Sequence, residues 1–248
     1  MGVLYAPNRS SAVMQQRKQA RDALDDFPTP PWATRALCEW LVRRHGSLEA
    51  LTCREPAANR GHMVRPLAEY FAQVQAADVH DYGAGYAVED YLFGPLAQKV
   101  DWTITNPPFR LAEAFIDRAL QTSRLGVAMI LRTAFLEGIG RYEHLFSKAP
   151  PCDVLQFTQR VVMQKGRLSP KGASATAYAW FVWDCRSTVY SGRGGTVLSW
   201  IPPCRKSLER ACDYHAGADT NPEHLREIEA HVAELHGQRS IKGRRPTL

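Results

Sequence analysis

Residues 99–120 read KVDWTITNPPFRLAEAFIDRAL. The first seven, KVDWTIT, are rich in β-branched and aromatic side chains and predict a buried strand. Pro107 and Pro108 then end it, because neither has an N–H to give to a sheet ladder. In LAEAFIDRAL, Leu111, Phe115 and Ala119 recur at four-residue steps, the spacing of one helix face. Strand, sharp loop and helix in this order form the unit of a parallel sheet with helices on its faces.

The alternation extends outward from this stretch. A helix is predicted within FPTPPWATRALCEWLVRRHG, residues 27–46, with Thr29 as N-cap and Pro30 or Pro31 in the first turn. Leu37, Trp40 and Leu41 share a face there, and Gly46 is the stop. Residues 48–57 read as the first strand, 62–72 as a helix and 74–79 as the second strand. Residues 83–94 read as a loop with an acidic element at Glu89–Asp90, 126–132 as a strand and 141–150 as a helix. After residue 150, strands follow closely at 154–162, 175–184 and 196–202, which predicts antiparallel pairing at one edge. The expected fold is α/β: a Rossmann-like, mostly parallel sheet with antiparallel edge strands and helices on both faces. A mobile arm is expected over 1–26 and a catalytic domain over 27–204. A C-terminal helix at 222–236 and a disordered basic tail are expected within 205–248.

The 248 residues are 45% hydrophobic and 23% charged, which suits one α/β domain with a core of its own. No apolar run reaches membrane-spanning length and the N-terminus has no signal-like h-region, so a cytoplasmic protein without a membrane partner is expected. The six cysteines are scattered and predict free thiols. Cys204, Cys212, His215 and His224 fit no usual zinc spacing, so no metal is expected. The net charge of +6 is uneven. Residues 154–208 carry eight basic side chains, including Arg160, Lys165, Arg167 and Lys171, against Asp184 alone. A late basic stretch of this kind predicts a polyanion-facing surface.

In an open parallel sheet, ligands bind at the carboxyl ends of the strands. Three features fall at such ends: Glu55-Pro56-Ala57-Ala58-Asn59-Arg60-Gly61, then Asp78, then Asn106-Pro107-Pro108-Phe109. Gly61 permits close backbone approach, and Asn59 tolerates a left-handed conformation, so the first loop can turn as a nucleotide loop does. Asp78 can accept hydrogen bonds from ribose hydroxyls. Asp90 can receive an exocyclic amine of adenine, with Tyr91 and Leu92 giving apolar contact. The third feature suits an amine conjugated to a planar ring. Such an amine is a poor nucleophile until it pyramidalises. The side-chain oxygen of Asn106 and the carbonyl of Pro107 can hold its two N–H bonds, and Phe109 can stack on the ring.

These residues carry a family resemblance. The chain resembles class I S-adenosylmethionine-dependent methyltransferases, and more narrowly the small N6-adenine DNA methyltransferases of phages and prophages. Asn106-Pro107-Pro108-Phe109 is similar to the family's catalytic (D/N)PP(F/Y/W) motif. Thr29-Pro30-Pro31-Trp32 is similar to its cofactor-contacting segment, and Glu55-Pro56-Ala57 with Gly61 to its first cofactor loop. Asp78 stands where the ribose acid is expected, and Asp90-Tyr91-Leu92 resembles the adenine-contacting segment. The resemblance implies S-adenosylmethionine as cofactor, contacted also by Asn106, and DNA as partner. It also implies methyl transfer to a flipped adenine. In the family, Cys-Gly usually stands where this chain has Ala58-Asn59. No separate recognition domain is evident. The basic loop 163–176 is the substitute, and Arg160, Lys165, Arg167 and Lys171 are the DNA-contact candidates. RNA or protein glutamine are alternative acceptors, and a turnover-free nucleic-acid binder is an alternative of another class. A homodimer through 222–236 is compatible with so small an enzyme.

Overall fold

The computed structural model describes residues 25–172, 174–186, 195–214 and 222–242, with side chains to residue 237. Eight strands form one sheet: β1 (Thr52–Glu55), β2 (Gln73–Asp78), β3 (Ala87–Val88), β4 (Val100–Thr105), β5 (Ser123–Arg132), β6 (Asp153–Phe157), β7 (Tyr178–Asp184) and β8 (Val197–Ile201). Their order in space is β3-β2-β1-β4-β5-β7-β6-β8. From β1 the chain steps outward through β2 to β3, then returns to place β4 on the other side of β1. The reversal opens a crevice at the carboxyl ends of β1 and β4, the place where such sheets bind ligands.

Antiparallel pairing occurs in the part of the sheet built after residue 150, as expected, but not at the outer edge. β7 runs antiparallel to both β5 and β6 and lies between them, while the edge strand β8 is parallel to β6. β7 is buried on both faces. Trp180 and Val182 enter the core on one face, and Ala179, Phe181 and Trp183 enter the core on the other, the period-2 alternation of a strand. Each indole is satisfied: Trp180 Nε1 donates to Ala33 O at 3.0 Å, and Trp183 Nε1 to Ala149 O at 2.9 Å.

Helix α1 (Pro31–His45) covers the first face, burying Leu37 and Leu41, and ends at Gly46 with φ 83°. Its N-cap is Pro30, not Thr29, and no side chain caps it. The next helix is shorter than expected. α2 spans only Val64–Leu67, and the rest of 62–72 is turns. Pro66 lies inside it and has no N–H for a longer ladder. α3 (Ala112–Thr122) covers the second face with Phe115, Ile116 and Ala119. In place of a helix over 141–150 there is a turn, α4 (Ile139–Arg141), running into a π-helical turn at Tyr142–Phe146. The strand expected over 154–162 stops at Phe157, and the loop expected over 83–94 contains β3.

After β8 come α5 (Arg205–Leu208), a 3₁₀ turn (Ala211–Tyr214) and α6 (Pro222–Lys242). Residues 237–242, expected in a disordered tail, continue α6. Arg35 of α1 holds this end of the chain. It is buried, pairs with Asp213 and Glu69 at 2.7 and 2.8 Å, and donates to Leu208 O. Helix α6 packs on the same segment, with His231 Nε2 3.2 Å from Glu209. No helix among the described residues is long and apolar enough to cross a membrane. They contain no cluster of three His, Cys, Asp or Glu residues able to hold a metal, though His215 lies outside them.

Candidate active site

Glu55 ends β1 and is fully buried. Its Oε1 accepts from Ala57 N at 2.9 Å and from Thr105 Oγ1, on neighbouring β4, at 2.6 Å. Its Oε2 is buried with no partner among the described residues. Burial pushes its carboxyl up from 4.5 to about 8, against the Thr105 and Ala57 hydrogen bonds. Asn59 then turns the loop. At φ 49° it is the one non-glycine residue with positive φ among those described. Its N–H donates to Asp78 Oδ2 at 2.9 Å, joining the loop to the end of β2. Gly61, with φ 80°, completes the turn; a Cβ there would lie 2.1 Å from the Tyr86 hydroxyl.

Asn106 leaves β4 beside this loop. Its Nδ2 donates to Phe27 O at 2.9 Å and lies 3.8 Å from Met163 Sδ. The amide is thereby oriented, and its Oδ1 accepts nothing from the described residues. The Pro107 carbonyl likewise accepts no backbone hydrogen bond among them, whereas Pro108 O accepts from Leu111 N. The Phe109 N–H donates to Asp25 Oδ2 at 2.8 Å, and its ring meets Phe27 and Tyr178.

Asp25, Asp26 and Phe27 therefore form a strap across the site. Asp25 and Asp26 were expected in the mobile arm, but long-range bonds fix both. Asp26 accepts from Asn59 Nδ2 at 2.7 Å, pairs with Arg60 at 3.0 Å, and its carbonyl accepts from Gly166 N at 2.8 Å. The strap thus joins the first loop, the Asn106 loop and the loop after β6.

A cleft of about 160 Å³ lies under the strap. Of the candidate residues, Thr29, Pro56, Ala57, Asn59 and Asp78 line it, as do Asp90, Tyr91, Leu92, Asn106 and Pro108. Six others stand apart from its wall, among them Pro107, which is buried beside Asn106. Trp32 belongs to the core, edge-on to Phe157, and Pro30 is buried at the start of α1. Glu55 and Gly61 support the loop from behind, and Phe109 lies beyond Asn106. Asp90 Oδ1 accepts from Leu92 N, which fixes that turn. The cleft also takes in Asp25, Phe27, His62 and Tyr82, which sequence reasoning missed. His62 is held neutral: burial, then Arg65 and Arg60, lowers its pKa to about 3. The buried Thr29 Oγ1 has no partner among the described residues, like Glu55 Oε2. Thr29 lines the cleft, so its unsatisfied hydroxyl fits a ligand with a polar group to offer it.

The loop from β6 to β7 passes over the same end of the sheet. Met163 and Gly166 dock it on Asn106 and Asp26. Arg160, Lys165 and Lys171 are exposed on it, while Arg167 is half-buried and donates to Gln164 Oε1 at 2.8 Å.

No protein-family model and no curated protein matches the sequence. Among solved structures, the chain superposes on a Listeria monocytogenes protein described as a class I S-adenosylmethionine-dependent methyltransferase. The TM-score is 0.53 at 11% identity, over 90% of this chain and 75% of that one. It also superposes on the methyltransferase subunit of a type I restriction-modification system from Streptococcus thermophilus. There the TM-score is 0.51 at 10% identity, over 85% of this chain and 54% of that one. The fold is the Rossmann-like sheet of class I methyltransferases.

Proposed function

We propose that the chain is an S-adenosylmethionine-dependent methyltransferase that methylates the N6 amine of adenine in DNA, with residues 27–204 as its catalytic unit. The observation that carries this reading is the state of Asn106. Its amide nitrogen is fixed to Phe27 O, so its oxygen is left as an oriented, unused acceptor beside the cleft. The Pro107 carbonyl is the second acceptor. Two acceptors aimed at the two N–H bonds of a conjugated amine draw its lone pair out of the ring as positive charge develops, at no cost of reorganisation. Asn106 removes no proton; the extra proton leaves to water after transfer.

The cleft residues suit the cofactor. Asp78 keeps lone pairs for ribose hydroxyls beyond its bonds from Asn59 N and His80 N. Tyr91 and Leu92 offer an apolar wall, with Asp90 at the rim for an exocyclic amine. Thr29 Oγ1 is an acceptor in reserve for the amino-acid end, and Glu55 shapes the loop from behind through Ala57 N. When bound, S-adenosylmethionine supplies an electrophilic methyl on sulfonium. The protein's part is alignment of the amine with that methyl. The basic loop over the same end favours a nucleic-acid acceptor over a protein glutamine.

The test is transfer of labelled methyl from S-adenosylmethionine to unmethylated DNA, RNA and protein, with nucleoside analysis of the product. N6-methyladenine in DNA is the expected product. Asn106→Ala should lose about 100-fold or more in kcat, with cofactor affinity largely kept. Full activity in that variant would remove Asn106 from the chemistry. Cofactor binding without transfer to any acceptor would favour the turnover-free binder.

A further inference from the structure

We infer that Arg132 is the acceptor-side cation of this site: it stands on Phe109 in the free protein and pairs with a phosphate flanking the target base when the base enters. The inference rests on methyl transfer to a nucleic-acid base. Arg132 is the last residue of β5, the strand next to β4, and lies at the carboxyl end of the sheet as Asn106 does. Its guanidinium carbon lies 4.2 Å from the centre of the Phe109 ring. It is half-buried, and its Nε is enclosed with no hydrogen-bond partner among the described residues. No carboxylate among them lies within ion-pairing distance. Its polar neighbour is Tyr178, directly opposite on β7, whose phenol pKa is raised by burial and partly lowered by the charge of Arg132 and a hydrogen bond from it.

Other arginines near the site are differently occupied. Arg60 is paired with Asp26, and Arg141 with Glu113. A half-buried guanidinium without an anion has given up water for little return, and an arriving phosphate would restore the balance through charge-assisted bonds. The stack on Phe109 points the same way. Phe27 and Tyr178 also adjoin that ring, but Tyr178 is buried within β7 and the Phe27 main chain is held by Asn106. Arg132 is the long, flexible neighbour, so it is the one that can yield to a base. A planar guanidinium occupies the slot a planar base would take, and keeps Phe109 covered until then. A protein glutamine would bring no phosphate and would leave this charge unanswered.

The experiment compares wild type with Arg132→Ala and Arg132→Lys on duplex DNA over a series of salt concentrations, with cofactor binding measured alongside. For Arg132→Ala, KM for DNA should rise about tenfold or more. The salt slope of binding should fall by about 0.9, one phosphate contact. Cofactor affinity should stay unchanged. Arg132→Lys should restore the slope, since it keeps the charge, and should not restore KM fully, since it loses the planar stack. If Arg132→Ala does not fold, Arg132→Gln removes the charge in its place, with an unchanged slope overturning the phosphate contact; wild-type KM in Arg132→Lys would overturn the stacking role. Wild-type activity on DNA with unchanged KM and slope in Arg132→Ala would overturn the inference alone. Transfer by the wild type to protein only, or to nothing, would overturn it together with the function on which it rests.

Discussion

Glu55 links folding to a proton. Its carboxyl binds a proton in the folded chain up to about pH 8 and in the unfolded chain only up to about 4.5. Between those values the folded state holds more protons, so stability falls as pH rises, by at most about 1.4 kcal/mol per unit. Glu55→Gln mimics the protonated form and should flatten that slope in chemical denaturation at pH 5 to 8. The loop around Glu55 was legible at this scale, because Asn at the turn and Gly61 name their backbone conformations by residue type. The orientation of Asn106 was not, since it depends on Phe27 O, 79 positions away in sequence.

Among the elements, the buried strands announced themselves and the short pieces did not. β4 and β7 are β-branched and aromatic runs and β5 carries the apolar run GVAMIL, buried by neighbours on both faces. β3 has two residues between glycine turns, too few to show a period. The strap is legible only after folding. Asp25 and Asp26 end a polar, unpatterned segment, and all that fixes them is side-chain and carbonyl bonding to distant loops. Packing between strands sets a sharper constraint at Gly126 of β5. A Cβ there would lie 2.4 Å from the Trp102 ring and 2.8 Å from Trp183 O, the latter backbone. Both indoles are fully buried and have nowhere to move. Gly126→Ala should therefore cost roughly 1–3 kcal/mol, measured as a lower denaturant midpoint with the site residues unaltered.

At the scale of the molecule, one buried cation ties the C-terminal segment to the sheet's first helix. Arg35 answers Asp213, Glu69 and Leu208 O at once. Arg35→Ala would leave Asp213 buried without its partner and should cost about 3–5 kcal/mol. The loss should appear as early protease cleavage within 205–214, ahead of global unfolding. The place of β7 has a consequence for synthesis. β5 is finished at residue 132, yet its outer neighbour is completed only at residue 184. For some fifty residues of translation, the emerging chain holds an apolar ten-residue strand with an open edge, a template for mispairing with other nascent chains. Strands β1 to β4 need no strand later than β5 and can assemble first. The other half closes later, when β7 slides into a gap between two strands already made and β8 adds outside β6.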